Sequence, residues 1–213
     1  MSSRTIVAAA VVSLASVLVV GGGAAPAGAR PERERVAARA QTFTVDPVHS
    51  SIVYRIKHAN TAFHYGRFNE FSGTFSIDEA NPAASSIEIE IKLAGIDSGN
   101  AKRDAHLASP DFFNAREFPV ATFKSTRVTR NAQGSLEVTG DFTLRGVTKP
   151  ITATLTHYGT GSFQGRALAG FETAFEIKRS DFGVNYGLAP DGSDSGALAN
   201  TVRVIVSLEG AAG

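Results

Sequence analysis

The sequence predicts an all-β fold, an eight-stranded antiparallel up-and-down barrel with a short helical insertion between strands 3 and 4. Two observations carry that prediction. Apolar and polar residues alternate with period two along much of the chain, as in "SIEIEIKL", where Ile87, Ile89, Ile91 and Leu93 share one face and Glu88, Glu90 and Lys92 the other. Helix-forming segments are too few to cover so many half-apolar strands, so the sheet must close on itself or pack against a second sheet. Closure removes the edge strands that a long open sheet would expose, which favours the barrel over a sandwich.

From the N-terminus, residues 1–29 have the anatomy of a secretory signal peptide: Arg4, then the weakly polar to apolar run Thr5 to Val20, then small residues ending in Ala27-Gly28-Ala29. That run falls short of the ~20 residues a membrane-spanning helix needs, so cleavage is expected and no stable membrane anchor remains afterwards. Residues 30–41, "RPERERVAARAQ", are charged and poor in bulky apolar side chains, as a flexible linker is. Ala38-Arg39-Ala40 is a second small-residue site, so two mature starts stay open. Residues 42–213 then form a single exported domain, within the usual range of ~50–200 residues.

Eight strand segments follow, at about 49–58, 68–77, 86–94, 120–129, 135–145, 147–158, 167–179 and 200–209, many separated by turn signals such as "DEANPA", "RNAQG" and "HYGTGSFQG". In the fifth, Leu136, Val138, Gly140, Phe142 and Leu144 alternate with polar residues; in the last, Val202, Val204, Val206 and Leu208 do the same. The pattern around Phe68–Phe71 is doubled, which points to a local irregularity in the strand. Small residues at mid-strand (Gly73, Ala121, Gly140, Ala153, Thr173) favour a hollow barrel over a filled one, since eight strands leave just enough room for one small ligand.

The insertion, "DSGNAKRDAHLASPDFFNAREFP", predicts two short helices. Asp97 or Ser98 caps the first, which runs to about Ser109; Ser109 caps the second, with Pro110 at its first position. So short a run cannot bury Phe112 and Phe113 on itself. It is expected to lie over one mouth as a lid, with Leu107, Phe112 and Phe113 turned inward.

The candidate ligand-binding set is therefore the inward apolar row of each strand: Ile52, Tyr54 and Ile56, then Phe71 and Phe75, then Ile89 and Phe123. Phe142, Leu155, Phe175 and Ile177 continue it, and Leu107, Phe112 and Phe113 complete it from the lid. Two polar residues end inward rows and belong at the mouth. Arg179 either meets a ligand headgroup or pairs with Asp181 or Asp104 to pin the lid, the pairing being preferred; His58 is open to the same two readings.

Composition excludes several classes. The 21 Lys and Arg less Arg4 leave 20 against 20 acidic residues, with no basic stripe for nucleic acid. The chain has no cysteine, so neither disulfides nor a lipid-modified cysteine is expected. Fourteen phenylalanines and no tryptophan describe an interior of rings without polar handles. His49, His58 and His64, or Asp104 with His106, match no zinc spacing, and "DGSDSG" at Asp191 lacks the glutamate that closes a calcium loop; no metal and no cofactor is expected. Ser180 and Asp181 stand in no "GxSxG" elbow, so no catalytic residue is assigned.

Four motifs, "VDPVHSSIVYRIKHANTAFHYGRFNEFSGTF", "DAHLASPDFFNAREFPVATFKST", "GDFTLRGVTKPI" and "FEIKRSDFGV", stand in the order and spacing of YceI-like proteins, and the resemblance covers about Phe43 to Leu208. It implies a lipocalin-like barrel, periplasmic or secreted, that binds an isoprenoid or other long-chain amphiphilic lipid, quinone-like ligands included, and it implies no enzymatic activity. The leading expectation is a carrier or buffer for such a lipid. An enzyme acting on it, with His58, His106 or Asp104 as acid or base, is the second reading. A stress-related interaction domain with a filled core is the third. A homodimer is compatible with the sequence.

Overall fold

The computed structural model describes residues 40–213. The expected signal peptide and all but the end of the expected linker lie outside the described residues. The strands are β1 (Phe43–Val45), β2 (Ser51–His58), β3 (Ala62–Phe68), β4 (Phe71–Ser76), β5 (Ser86–Lys92), β6 (Ile96–Asp97), β7 (Val120–Arg130), β8 (Leu136–Leu144), β9 (Val147–Phe163), β10 (Arg166–Lys178) and β11 (Leu198–Ala212). One α-helix, α1 (Ala101–Ala108), follows β6.

These strands make eight staves, because three staves are each broken in two. β1 and β2 are interrupted at Asp46–Ser50, where the Asp46 carboxylate takes the Val48 N–H at 2.8 Å. β3 and β4 break at Asn69–Glu70, the irregularity that the doubled pattern at Phe68–Phe71 predicts. β5 and β6 break at a 3-10 turn, Leu93–Gly95. Every stave pairs antiparallel with its neighbour in the chain, and β11 closes the ring on both β2 and β1. The fold is thus a closed eight-stranded antiparallel barrel.

Tight hairpins set the order. Arg145-Gly146 joins β8 to β9 and Gln164-Gly165 joins β9 to β10, both with positive φ at the two central residues, the turn whose twist matches paired strands. Alternation then turns one face inward. Ile87, Ile89 and Leu136, Val138 are buried, while Glu88 and Lys124 form an ion pair at 3.3 Å on the outer surface. Apolar inside and charged outside is the reverse of a barrel facing lipid with its outer wall. No helix among the described residues is long and apolar enough to cross a membrane.

Several expected boundaries shift. β3 falls where no strand is predicted, since "AFHYGRF" mixes Ala, His and Gly on its inner row and carries aromatic rings on its outer one. β9, β10 and β11 extend past their predicted limits at one end of the barrel. In the insertion, the cap of α1 is Asn100, whose Oδ1 accepts the Arg103 N–H at 3.1 Å, not Asp97 or Ser98. The second predicted helix does not form. Residues 110–117 instead fold back onto the end of α1, with Phe113 N–H donating to Leu107 O and Ala115 N–H to Ala108 O, and Asn114 at φ 49° reverses the chain. The carbonyls left free at a helix end claim the segment as a cap before it can start a helix of its own.

Candidate functional site

The two ends of the barrel are built differently. One is solid. Phe75 stacks on Phe43 at 5.7 Å between centroids and meets Phe171 edge-on at 5.0 Å, with Leu136, Leu155 and Val128 packed around them. The other end holds a cavity of about 630 Å³. Its walls are β-strand side chains in alternate positions, including Ile89, Phe123, Phe142, Phe175 and Val204. Its floor, Ile52, Ile87 and Phe171, is shared with the solid end. The small residues Ala121, Ala153 and Thr173 line the walls and leave the space that larger side chains would take. Gly73 and Gly140 do not. A Cβ on Gly73 would meet the Glu88 carbonyl oxygen at 2.1 Å, and one on Gly140 the Phe123 ring at 2.5 Å, so the first glycine admits a close backbone approach and the second lets a neighbouring ring lie across it.

A cap covers the hollow end. α1 contributes Arg103, His106 and Leu107, and the segment behind it contributes Phe112 and Phe113. Phe112 meets His106 edge-on at 5.0 Å and Tyr186 at 5.1 Å, while Phe113 lies 6.0 Å from Phe68. The cap is tied down on two sides. Ser98 donates from both its N–H and its hydroxyl to Asp104 Oδ1, and Arg103 donates to Ser98 Oγ at 2.8 Å and Ser98 O at 2.7 Å. On the far side, Arg145 of the β8–β9 turn donates to the carbonyls of Pro110 and Phe112. Phe118 packs outside the cavity, where a Cβ on Gly146 would come within 2.9 Å of its ring.

The lining is almost wholly apolar; among its few polar groups Arg179 is held by hydrogen bonds, while Tyr54 and His64 are left without a partner among the described residues. Arg179 is 4% exposed and lies in a 3-10 turn, Arg179–Phe182, just past β10. Its guanidinium donates to Ala199 O at 2.8 Å, Val184 O at 2.9 Å and Leu198 O at 3.0 Å. The expected pairing with Asp181 or Asp104 is therefore corrected: three backbone carbonyls, one just past its own turn and two at the start of β11, take its donors. Burial draws its pKa below the ordinary arginine value, opposed by the charge of Asp194. Tyr54 is 9% exposed, and its hydroxyl finds no hydrogen-bond partner among the described residues. Burial pushes its pKa up to about 12. His64 Nε2 is likewise without a partner among them, and burial, then the Arg103 charge, holds its pKa below the ordinary 6.5. At neutral pH the pocket wall carries a neutral phenol and a neutral imidazole.

Of the residues expected to hold a ligand, Ile52, Tyr54, Ile56, His58, Ile89, Leu107, Phe112, Phe113, Phe123, Phe142, Phe175, Ile177 and Arg179 all border the cavity. Phe71, Phe75 and Leu155 do not. They point inward as alternation requires, but at the solid end, where they are core. Sequence reasoning missed the inner row of β3, Ala62, His64 and Phe68, and the rim residues Phe63 and Tyr186. The spacing Ala62-His64-Gly66-Phe68 is the signal that could have found the first three; nothing local marks Tyr186. The acid–base candidates are dispersed in role: Asp104 is held by Ser98, His106 Nε2 pairs with Asp111 at 2.9 Å, and His58 sits on the β2–β3 turn. Ser180 Oγ accepts from Asn200 Nδ2 rather than facing a base. Asp46, His49 and Glu209 cluster on the outer surface, with His49 Nδ1 2.9 Å from Asp46 and 3.8 Å from Glu209.

Comparison with known proteins fits this geometry. The YceI-like domain family matches residues 43–210. The chain is 40% identical to Protein YceI of Escherichia coli over 163 residues, covering 76% of this chain and 81% of that one. Among solved structures it is similar to BcnA of Burkholderia cenocepacia, at 27% identity and TM-score 0.68, covering 78% of this chain and 98% of that chain. A polyisoprenoid binding domain from Saccharophagus degradans, described as implicated in plant cell wall breakdown, shares the fold at 15% identity and TM-score 0.59, covering 82% and 99% of the two chains.

Proposed function

The chain belongs to the YceI-like family, and from that premise we propose that it is an exported carrier or buffer for an isoprenoid-type lipid, held in the barrel cavity under the aromatic cap. The observation that carries this reading is the cavity itself, about 630 Å³ of apolar space closed at one end and roofed at the other. That volume lies within the ~300–1,000 Å³ typical of small-molecule sites, and each buried CH₂ of a guest contributes ~0.8 kcal/mol. A branched hydrocarbon chain thus gains affinity from the walls without a charged anchor. The Saccharophagus degradans domain supports a barrel of this fold as a container for such chains. Its role is binding rather than catalysis, and export follows from the signal-peptide anatomy of residues 1–29.

The test is extraction of the purified protein with organic solvent and mass spectrometry of the extract, paired with uptake of a prenyl quinone added in dilute detergent. A co-purifying isoprenoid, or saturable uptake at one chain per protein, supports the reading. A clean extract together with no uptake overturns it.

A further inference from the structure

A water-insoluble guest has to reach the cavity from somewhere, and the surface beside the mouth indicates where. The outer face of the β2–β3 hairpin carries Arg55 and Lys57 on one strand and Phe63, Tyr65 and Arg67 on the other, with cross-strand pairs Arg55↔Tyr65 and Lys57↔Phe63. Its turn forms part of the rim, since His58, Ala62 and Phe63 border the cavity. Phe63 is 50% exposed and Tyr65 52%, and Tyr186, across the mouth, is 50%. Rings exposed singly are ordinary, but here Phe63 and Tyr186 both border the mouth and Tyr65 stands beside Phe63 on the outer face.

The charge around them is one-sided. Neither β2 nor β3 contains an acidic residue. Arg55 stacks over the Phe63 ring at 4.1 Å, so cation and ring stand together on this face. Among these cations Arg67 pairs with Asp97, at 3.5 Å. Arg203, opposite Arg55 on β11, adds a fourth cation to the face and has its own partner in Glu176 at 3.7 Å. Aromatic rings flanked by Lys and Arg suit the headgroup layer of a bilayer, where rings sit at the boundary and cations meet lipid phosphates.

We propose that the outer face of the β2–β3 hairpin docks on an anionic lipid bilayer, with Phe63 and Tyr65 entering the headgroup layer and Arg55, Lys57 and Arg67 meeting phosphates, so that the rim of the mouth lies at the membrane surface. This rests on the container reading for its purpose, not for its measurement. A bilayer suits the face better than an acidic protein does, because the cargo leaves a lipid phase and a mouth pressed to that phase spares it passage through water.

The experiment is co-sedimentation of the protein, without added guest, with vesicles of phosphatidylcholine alone and of phosphatidylcholine containing about one-third phosphatidylglycerol. Binding is expected to the anionic vesicles, weakening from low to physiological salt as the Debye length shortens to ~8 Å. Lys57→Gln should weaken it about fivefold, the effect of one cation near such a surface. The chain has no tryptophan, so Tyr65→Trp is a lone reporter whose emission should shift to the blue on the same vesicles. Neither Lys57 nor Tyr65 borders the cavity, so guest uptake from detergent should survive both changes. Indifference to both vesicle types, equal binding to both, or unchanged binding by Lys57→Gln overturns the proposal, and sedimentation only in the presence of an acidic protein does so in favour of a protein partner. Guest uptake from detergent without vesicle binding would sink the docking face and leave the container standing; vesicle binding without uptake would do the reverse.

Discussion

Tyr54 and Gly66 face each other across β2 and β3, and the phenol lies so close over the glycine that a Cβ there would sit 2.3 Å from the Tyr54 oxygen. One residue is bare so that the other can lie flat in the cavity wall. Gly66→Ala should therefore lower stability by about 1–3 kcal/mol, as overpacking does. Combined with Tyr54→Ala, which removes the clash, it should add far less than its single-variant cost; a denaturant series on both singles and the double measures the coupling.

The hydroxyl of Tyr54 gives a second expectation. Buried without a partner among the described residues, it costs free energy that Tyr54→Phe removes, so that variant should be more stable by about 1 kcal/mol. The raised pKa makes the sign of the pH dependence definite. The phenol's contribution is fully present below its ordinary 10.0 and is lost as pH climbs towards about 12. Alkaline ultraviolet titration of wild type minus Tyr54→Phe should show a phenolate appearing late, and the denaturant midpoints of the two proteins, already separated at neutral pH, should draw further apart across that range.

Arg179 ties the turn after β10 to the start of β11 through the carbonyls of Val184, Leu198 and Ala199. Arg179→Met leaves three buried acceptors with no donor, at roughly 3 kcal/mol or more. Arg179→Lys should rescue little, because an ammonium cannot copy the planar fork that reaches three directions. Denaturant unfolding reads the loss, and limited proteolysis should find the 183–198 loop opened in both variants.

The solid and hollow ends should respond oppositely to substitution. Phe75→Ala, at the packed end, should cost about 3–5 kcal/mol in stability yet leave guest uptake intact at temperatures where the protein stays folded. Ala153→Phe, in the cavity wall, should leave the fold within about 1–3 kcal/mol and cut prenyl uptake about tenfold, the loss expected when two CH₂ groups of the guest are displaced.

Arg145 ties the cap to the β8–β9 turn from outside. Arg145→Ala should destabilise the fold by only about 1 kcal/mol while hydrogen exchange at residues 110–118 accelerates and bound guest leaves faster. Equal exchange with and without the arginine would show that the cap is held by its rings alone.

Alternation in the sequence reports which face a side chain takes, and it placed Phe71, Phe75 and Leu155 inward as surely as Phe123 and Phe142. Depth along the barrel axis is another matter. It depends on where each stave begins relative to its neighbours, which emerges only when the pairings of all eight are fixed at once. The partners of Arg179 are hidden for a similar reason. An arginine at the end of an apolar row suggests a carboxylate partner, and the sequence carries no mark for backbone carbonyls at Val184 and at the start of β11. β3 was passed over because His64 and Gly66 weaken its inner row, and Gly66 is small for the sake of a ring on the neighbouring strand.

The plug formed by Phe43, Phe75 and Phe171 makes the barrel a blind tube. Whatever threads into it has a single way in and must back out along the same path, so the order in which tail and head arrive is also the reverse of the order in which they leave. A chain longer than the bore would keep its surplus outside, under the cap. The depth of that plug is in this sense a gauge, and moving it by one ring would change the length of guest that fits.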